Sequence, residues 1–347
     1  MEITHREFLP SATKSVHAST IEIWKDHPVF SWFGGSREGA PDVGIYLYNL
    51  DGNGGIIQIG NNDAMPRWNP ILVNLGDRII LFEKAGIFCD RWQTFIHNIT
   101  NWENDITPKD IYKTRVVLPA GLNGPVKSRP IVKDNRMYCG SSVETPYDWV
   151  SYIEEYVIDL DIIFDKRSYP LYVRKETYTD EYSGRTGKTL GVIQPTLWEY
   201  NGKLSAFFRS SKGLGTIYYS TRHDDGNWSF PCSTNLPNPN SAVDVATHNG
   251  FLYLVWNPDA SKRTPLVLSR FKLPFPSLDG FPDLVNINAL EPEETITISD
   301  DLNVDNFAKK SCNSPELSYP YIIEYNGQLH LTYTYGRSKI EYVVVSI

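Results

Sequence analysis

The chain has 347 residues, a formal net charge of −8 and a pI near 5.4. An acidic chain without basic runs is poorly suited to nucleic acid or an anionic membrane surface. No apolar run approaches the roughly 20 residues that a membrane helix needs. The 41% hydrophobic content supports a sizeable core, and 13% aromatics, with 21 Tyr and 9 Trp, favour β structure and sugar-stacking surfaces. Cys89, Cys139, Cys232 and Cys312 lie far apart without a CxxC pair, and are read as buried free thiols. No cofactor is expected, and no residue spacing argues for a metal. Met1 to Arg6 lacks the apolar core of a signal peptide. The chain as given is therefore expected in the cytoplasm, or outside the cell if a leader precedes it.

In chain order, one unit recurs: an apolar run, a tight turn and a second apolar run. Ile21 to Ile23 turns near Asp26-His27-Pro28 into Val29 to Phe33. Ile71 to Val73 turns at Gly76-Asp77 into Ile79 to Phe82, and Ile131-Val132 turns at Asp134-Asn135 into Met137-Tyr138. Thr196 to Tyr200, Val243 to Val245 and Tyr321 to Tyr325 each lead through Asn-Gly into a further apolar run. Asn-Gly between apolar runs is a strong hairpin signal, because both turn residues adopt positive φ at little cost. About six copies at spacings on the order of 45–80 residues predict an all-β fold, a six-bladed β-propeller forming a single domain over residues 1–347. A two-sheet sandwich competes, but it need not repeat one hairpin six times. Short helical turns are conceivable at Pro108–Tyr112 and Asp301–Lys309, and Asp279–Asp300 reads as a long surface loop.

Such a repeat brings equivalent residues around one axis. The residues opening the first strands are His17, Asn69, Arg129, Gln194, Asn240 and Tyr319, of which Asn69, Arg129, Gln194 and Tyr319 precede proline. Together they predict a shared polar pocket. A second set follows the second strands: Arg37, Glu38, Asp42, Lys84, Glu144, Arg209, Arg263 and Arg337. Gathered arginines suit an anionic ligand, since the guanidinium fork pairs with carboxylate or phosphate.

Ser15 to Ile21 and Trp32-Phe-Gly-Gly-Ser-Arg-Glu-Gly-Ala-Pro-Asp-Val-Gly44 resemble the predicted-neuraminidase, BNR-repeat-like family, a divergent branch of the sialidase superfamily. Leu118 to Lys127, Leu236 to Ser241 and Ser318-Tyr319-Pro320 extend the resemblance, which runs from Val16 to Val345. Ser220 to Trp228 is the best remnant of the sialidase Asp-box, expected on an outer turn. The resemblance implies that Arg209 and Arg263 stand for two of the three arginines that hold the substrate carboxylate in sialidases. It likewise implies Arg37 and Asp42 for the segment carrying the acid/base, and Tyr319 for the nucleophile.

Two positions depart from that pattern. His17 stands where the first arginine belongs, and Gln194 where a glutamate should activate the tyrosine. A phenol has a reference pKa near 10 and needs a base beside it, which Gln is not. Glu144 and Glu38 are candidate replacement carboxylates, and His17 a candidate base. The expected catalytic group is Asp42, Tyr319, His17 and Glu144. The expected substrate contacts are Arg37, Arg129, Arg209, Arg263, Arg337, Gln194, Asn69 and Asn240. The favoured function is a glycoside hydrolase acting on an anionic or modified sugar rather than a true sialidase. A lyase or small-molecule biosynthetic enzyme on the same scaffold and a non-catalytic carbohydrate-binding propeller are the alternatives. The partner is a small-molecule or glycan substrate, with no nucleic acid and no membrane.

Overall fold

The computed structural model describes residues 1–50, 55–60, 63–99, 116–119, 121–145, 148–158, 162–171, 190–211, 213–300 and 316–347. Strand β1 (Glu2–Phe8) belongs to the last sheet. The first sheet is β2 (Ser15–Trp24), β3 (His27–Gly35), β4 (Gly44–Asn49) and β5 (Ile56–Ile59); the second is β6 (Arg67–Asn74), β7 (Ile79–Ala85), β8 (Gln93–Ile99) and β9 (Val116–Val117). The third group comprises β10 (Ile131–Lys133), β11 (Arg136–Glu144), β12 (Asp148–Ile158) and β13 (Ile162–Leu171), the fourth β14 (Leu190–Tyr200), β15 (Lys203–Ser210), β16 (Thr216–Thr221) and β17 (Cys232–Pro237), and a short parallel pairing of β12 with β14 joins the two into one eight-stranded sheet. The fifth is β18 (Asp244–His248), β19 (Phe251–Trp256), β20 (Leu266–Lys272) and β23 (Glu294–Ser299), interrupted by a hairpin of β21 (Ser277–Leu278) and β22 (Phe281–Val285). In the sixth, β24 (Leu317–Tyr325), β25 (Gln328–Tyr335) and β26 (Lys339–Ser346) are completed by β1, so the two ends of the chain share one sheet.

These six antiparallel groups give a blade-like, β-propeller-like organisation. First strands pack on one another, β2 against β6 and β24, and β18 against β14 and β24. Apolar clusters fill the spaces between neighbouring sheets. Val29, Phe33 and Leu47 meet Leu72, Ile79 and Leu81, and Tyr253, Val255 and Leu268 meet Ile322, Leu331 and Val343. A sheet covered on both faces needs apolar side chains on both, which explains why the strands read as continuous apolar runs. The sequence turns hold as well: Asn201-Gly202, Asn249-Gly250 and Asn326-Gly327 all have positive φ at both residues. The Asp-box remnant closes the turn between β16 and β17, where Asn227 N donates to Asp225 at 2.9 Å.

Several expectations need correction. Residues 279–300 are not a loop, because they carry β22 and β23. Cys232 is exposed and Cys89 only partly buried; Cys139 is buried. Cys312 and the two proposed helical turns, at 108–112 and 301–309, lie outside the described residues. Among the described residues, no helix is long and apolar enough to cross a membrane.

The first strands share a device that the sequence reading misaligned. Ala18, Asn69, Gln194 and Tyr319 all have positive φ, between 41° and 53°. Each is followed by a break in register, between His17 and Thr20, Trp68 and Ile71, Ile193 and Thr196, and Ser318 and Tyr321. A left-handed residue opening a bulge re-aims the strand and its side chain. Ahead of the third sheet's first strand, Lys127 has a positive φ of 72° at the corresponding distance from its turn. Counted back from each hairpin, the equivalents are therefore Ala18 rather than His17, Lys127 rather than Arg129, and Ala242 rather than Asn240. Arg129 instead pairs with Glu22 at 3.3 Å and lines a separate cavity of about 470 Å³ with Asn74, Trp198 and Ile322.

Lys127 lies beneath the chain that carries Tyr319. Its ammonium donates to the Pro320 carbonyl and sits 3.8 Å from the Asp244 carboxylate. Asp244 also accepts from Thr196 Oγ1 at 2.6 Å and from Ile322 N at 3.0 Å. One buried carboxylate thus links first strands of the fourth, fifth and sixth sheets to the opening of the third. Burial pulls the Lys127 ammonium down to about 8, against the attraction of Asp244. Removing one member of a buried pair leaves the other charge uncompensated, at a cost of about 3–5 kcal/mol. Asp244→Ala should lose stability in that range in urea unfolding. Lys127→Met combined with Asp244→Leu should lose less than the sum of the single changes.

Candidate functional site

Tyr319, Gln194 and Arg209 form the centre of the site. Tyr319 and Gln194 occupy left-handed corners of different sheets, and Arg209 lies opposite Ile193 on β15. Arg209 Nη1 donates to Tyr319 Oη at 2.9 Å and to Gln194 Oε1 at 3.0 Å, while its Nε donates to Asn240 Oδ1 at 2.8 Å. Gln194 Nε2 donates to the same Tyr319 oxygen at 3.3 Å. The phenol oxygen therefore accepts from two donors, and its own hydrogen remains to point at a ligand. The Arg209 guanidinium also lies 5.6 Å from the ring centroids of both Trp149 and Tyr319. Gly191 makes this placement feasible: a Cβ there would meet the Trp149 carbonyl oxygen at 2.2 Å, so only glycine lets β14 run against β12.

Arg263 and Arg337 come from the fifth and sixth sheets and share one brace, Glu316. Arg263 Nη1 reaches Glu316 at 2.9 Å and Arg337 Nε reaches it at 2.8 Å. Ser318 Oγ adds a third hydrogen bond at 2.9 Å. Arg263 Nη2 donates to the Asn240 carbonyl at 2.7 Å, so Asn240 joins both arginine positions. Arg337 also pairs with Glu38. Burial lowers the Arg263 guanidinium, and Arg209 lowers it further, while Glu316 opposes both. Arg337 is raised despite its burial by Glu316 and Glu38.

His17 is 1% exposed, with its ring centroid 4.1 Å from that of Tyr319 and its ring edge-on to Phe33. Neither ring nitrogen has a hydrogen-bond partner among the described residues. Burial, then Arg337, Arg263 and Arg209 in that order, pushes its pKa well below the usual histidine value. Burial and the arginines thus disfavour the imidazolium form. Those three guanidinium groups are therefore all close enough to act on one ring.

Glu144, at the end of β11, is raised by burial, opposed by Arg209 and assisted by Glu38. Four of the expected residues, Asp42, Arg37, Asn69 and Arg129, lie apart from this group, Arg129 at its own cavity. Asp42 is exposed and spends both oxygens on Ser36, accepting from its N at 2.9 Å and its Oγ at 2.8 Å. Arg37 is exposed in the same turn. Asn69 is buried at its own corner and makes no hydrogen bond to the Tyr319 group among the described residues. Lys84 is buried and donates to Thr94 at 3.1 Å and to the Asn123 carbonyl, holding the chain between the second and third sheets. Glu316 and Trp149 were missed by the sequence reading. Strand alternation offered the only hint for Glu316, since it stands on the same face as Ser318, just before Tyr319. No three His, Cys, Asp or Glu side chains cluster as metal ligands would among the described residues.

The BNR repeat-like domain model matches residues 27–331, most of the chain. The chain belongs to this family. No curated protein sequence matches this BNR repeat-like domain protein. A protein of unknown function from Dyadobacter fermentans has a similar fold, with TM-score 0.67 and 10% identity over 99% of this chain and 98% of that one. Trypanosoma rangeli sialidase is similar with TM-score 0.58 and 10% identity, over 99% of this chain and 58% of the sialidase. The α-L-arabinanase of Penicillium chrysogenum, solved with arabinobiose, has TM-score 0.57 and 12% identity over 98% and 96%. These likenesses show that the BNR repeat-like chain has a fold shared with sialidases and other carbohydrate-active enzymes.

The state of His17 gives a pH prediction. Its folded pKa lies below its unfolded value of about 6.5, so the unfolded chain binds the extra proton as pH falls. The stability difference between wild type and His17→Gln should fall by roughly 1 kcal/mol between pH 7 and pH 5.5. Nitrogen-15 NMR should show the His17 imidazole unprotonated across that range.

Proposed function

We propose that the chain is a single six-bladed β-propeller enzyme that hydrolyses glycosides of an anionic sugar and is not a sialidase. The observation that carries this reading is a contiguous group of three arginines at Tyr319: Arg209 donates to the phenol, shares Asn240 with Arg263, and Arg263 shares Glu316 with Arg337, which also pairs with Glu38. Three guanidinium groups set against two paired glutamates favour a carboxylate-bearing sugar over a neutral one. The arginine missing from the first sheet has a counterpart in Arg337, which reaches the same site from the sixth.

Chemistry follows from the carboxyl groups rather than from the phenol. Tyr319 has Gln194 beside it and no carboxylate hydrogen-bonded to it among the described residues, so it holds the sugar instead of attacking it. Glu144, pushed by burial toward its protonated form, gives a proton to the leaving oxygen as the glycosidic bond breaks. Glu38, ion-paired with Arg337, takes the proton of the attacking water. Asp42 supports the loop that presents Glu38. The fold likeness to a sialidase and an arabinanase supports glycoside chemistry in general, and the arginines support its anionic form.

A panel of 4-methylumbelliferyl glycosides, anionic and neutral, tests this. The wild type should release the fluorophore from an anionic sugar in preference to neutral ones. Glu144→Gln should lose about 100-fold in kcat, whereas Asp42→Asn should keep most activity. Full activity in Glu144→Gln, or loss in Asp42→Asn alone, contradicts the assignment. An unsaturated product absorbing in the near ultraviolet points to elimination instead.

A further inference from the structure

The cavity of about 470 Å³ that Arg129 lines lies toward the other end of the first strands. We propose that it is a second ligand site, separate from the Tyr319 site, and that it takes an apolar amino acid in its zwitterionic form. The inference does not depend on the hydrolase reading.

The cavity is built by the fold rather than by one loop. Its walls are the far ends of β6, β14, β18 and β24, which lead into hairpin turns, together with Arg129 to Val132. The left-handed corners at Asn69, Gln194 and Tyr319 lie toward the opposite ends of those strands. Most of the lining is apolar, with Leu197 and Ile322 buried and Val132 left 43% exposed. A concave apolar space of this volume with a few polar groups is the usual form of a small-ligand site.

Three charged groups line this space: Arg129 beside β10, Glu199 on β14 and Glu324 on β24. Arg129 is held by the buried Glu22, through Nε at 3.3 Å and Nη2 at 3.4 Å. Glu22 is otherwise spent on the backbone N–H groups of Ile23 and Asn74. Among the described residues Arg129 Nη1 makes no hydrogen bond, and the side chain is 42% exposed. Each lining glutamate likewise uses one oxygen. Glu199 Oε1 pairs with Lys133 at 2.7 Å, while Glu324 Oε1 accepts from Gly327 N at 2.9 Å and meets the His248 ring at 3.2 Å. Neither Oε2 has a hydrogen-bond partner among the described residues. The wall thus keeps one cationic donor and two anionic acceptors for a ligand. A carboxylate suits the guanidinium, and an ammonium suits the carboxylates. A simple anion would meet two glutamates and a simple cation would meet Arg129, so a ligand of both signs satisfies all three.

Calorimetry on the full chain tests the site with L-leucine as the probe. L-Leucine should bind the wild type. N-Acetyl-L-leucine, which lacks the ammonium, and L-leucinamide, which lacks the carboxylate, should each bind about tenfold more weakly. Glu324→Gln should weaken L-leucine by about tenfold, and its amide keeps an oxygen for Gly327 N, so its thermal melt should match the wild type. Arg129→Lys keeps a positive charge for Glu22 but loses the fork, and should weaken L-leucine as well. Excess D-glucuronate should leave the L-leucine affinity unchanged. Absence of L-leucine binding, equal binding of N-acetyl-L-leucine, wild-type affinity in Glu324→Gln, or competition by D-glucuronate would each overturn the proposal.

Discussion

Asp244 is the carboxylate on which the arrangement of the first strands turns. It accepts from Thr196 Oγ1 and Ile322 N and faces Lys127, and Lys127 in turn donates to the carbonyl of Pro320. Pro320 follows Tyr319 directly, so the buried pair fixes the backbone that aims the phenol. A charge pair in a dry interior is tolerable only when each oxygen and each N–H finds a partner. Here the partners come from four sheets, and satisfying them also sets the spacing of the corners that carry Gln194 and Tyr319.

Much of the architecture was legible because hairpins are local. Asn201-Gly202, Asn249-Gly250 and Asn326-Gly327 announced their turns through the conformations those residue types tolerate. The ring of strand-opening residues was visible only in outline. Proline after Asn69, Gln194 and Tyr319 marked the corners, yet His17 was set one residue out of phase and Arg129 and Asn240 two, because the left-handed corners leave no fixed signature in the sequence. Residues 279–300 misled for a related reason: their proline and acidic content suggested a loop, but the pairing of β23 with β20 outweighed local composition.

The candidate site could be outlined by residue type and not by geometry. Arg209, Gln194, Asn240 and Tyr319 are joined by hydrogen bonds, whereas Asp42 and Arg37 remain on an exposed turn. Glu316 was invisible because its importance depends on two arginines from other parts of the chain meeting across it. The two departures noted in the sequence acquire a common physical sense. Gln194 gives Tyr319 an amide rather than a carboxylate neighbour, and the buried His17 adds no counter-charge to the arginines, of which Arg263 and Arg337 are paired with Glu316 and Arg337 also with Glu38. Under the proposed function, the arginines serve recognition of an anionic group while the phenol has no carboxylate base beside it.

The most direct measurement of this account is a crystal structure of the wild type with bound D-glucuronate. The account predicts its carboxylate within about 3 Å of Arg263 and Arg337, with the ring against Tyr319 and His17. A carboxylate bound instead at the Arg129 cavity, or a sugar ring with its carboxylate turned away from all three arginines, would contradict it.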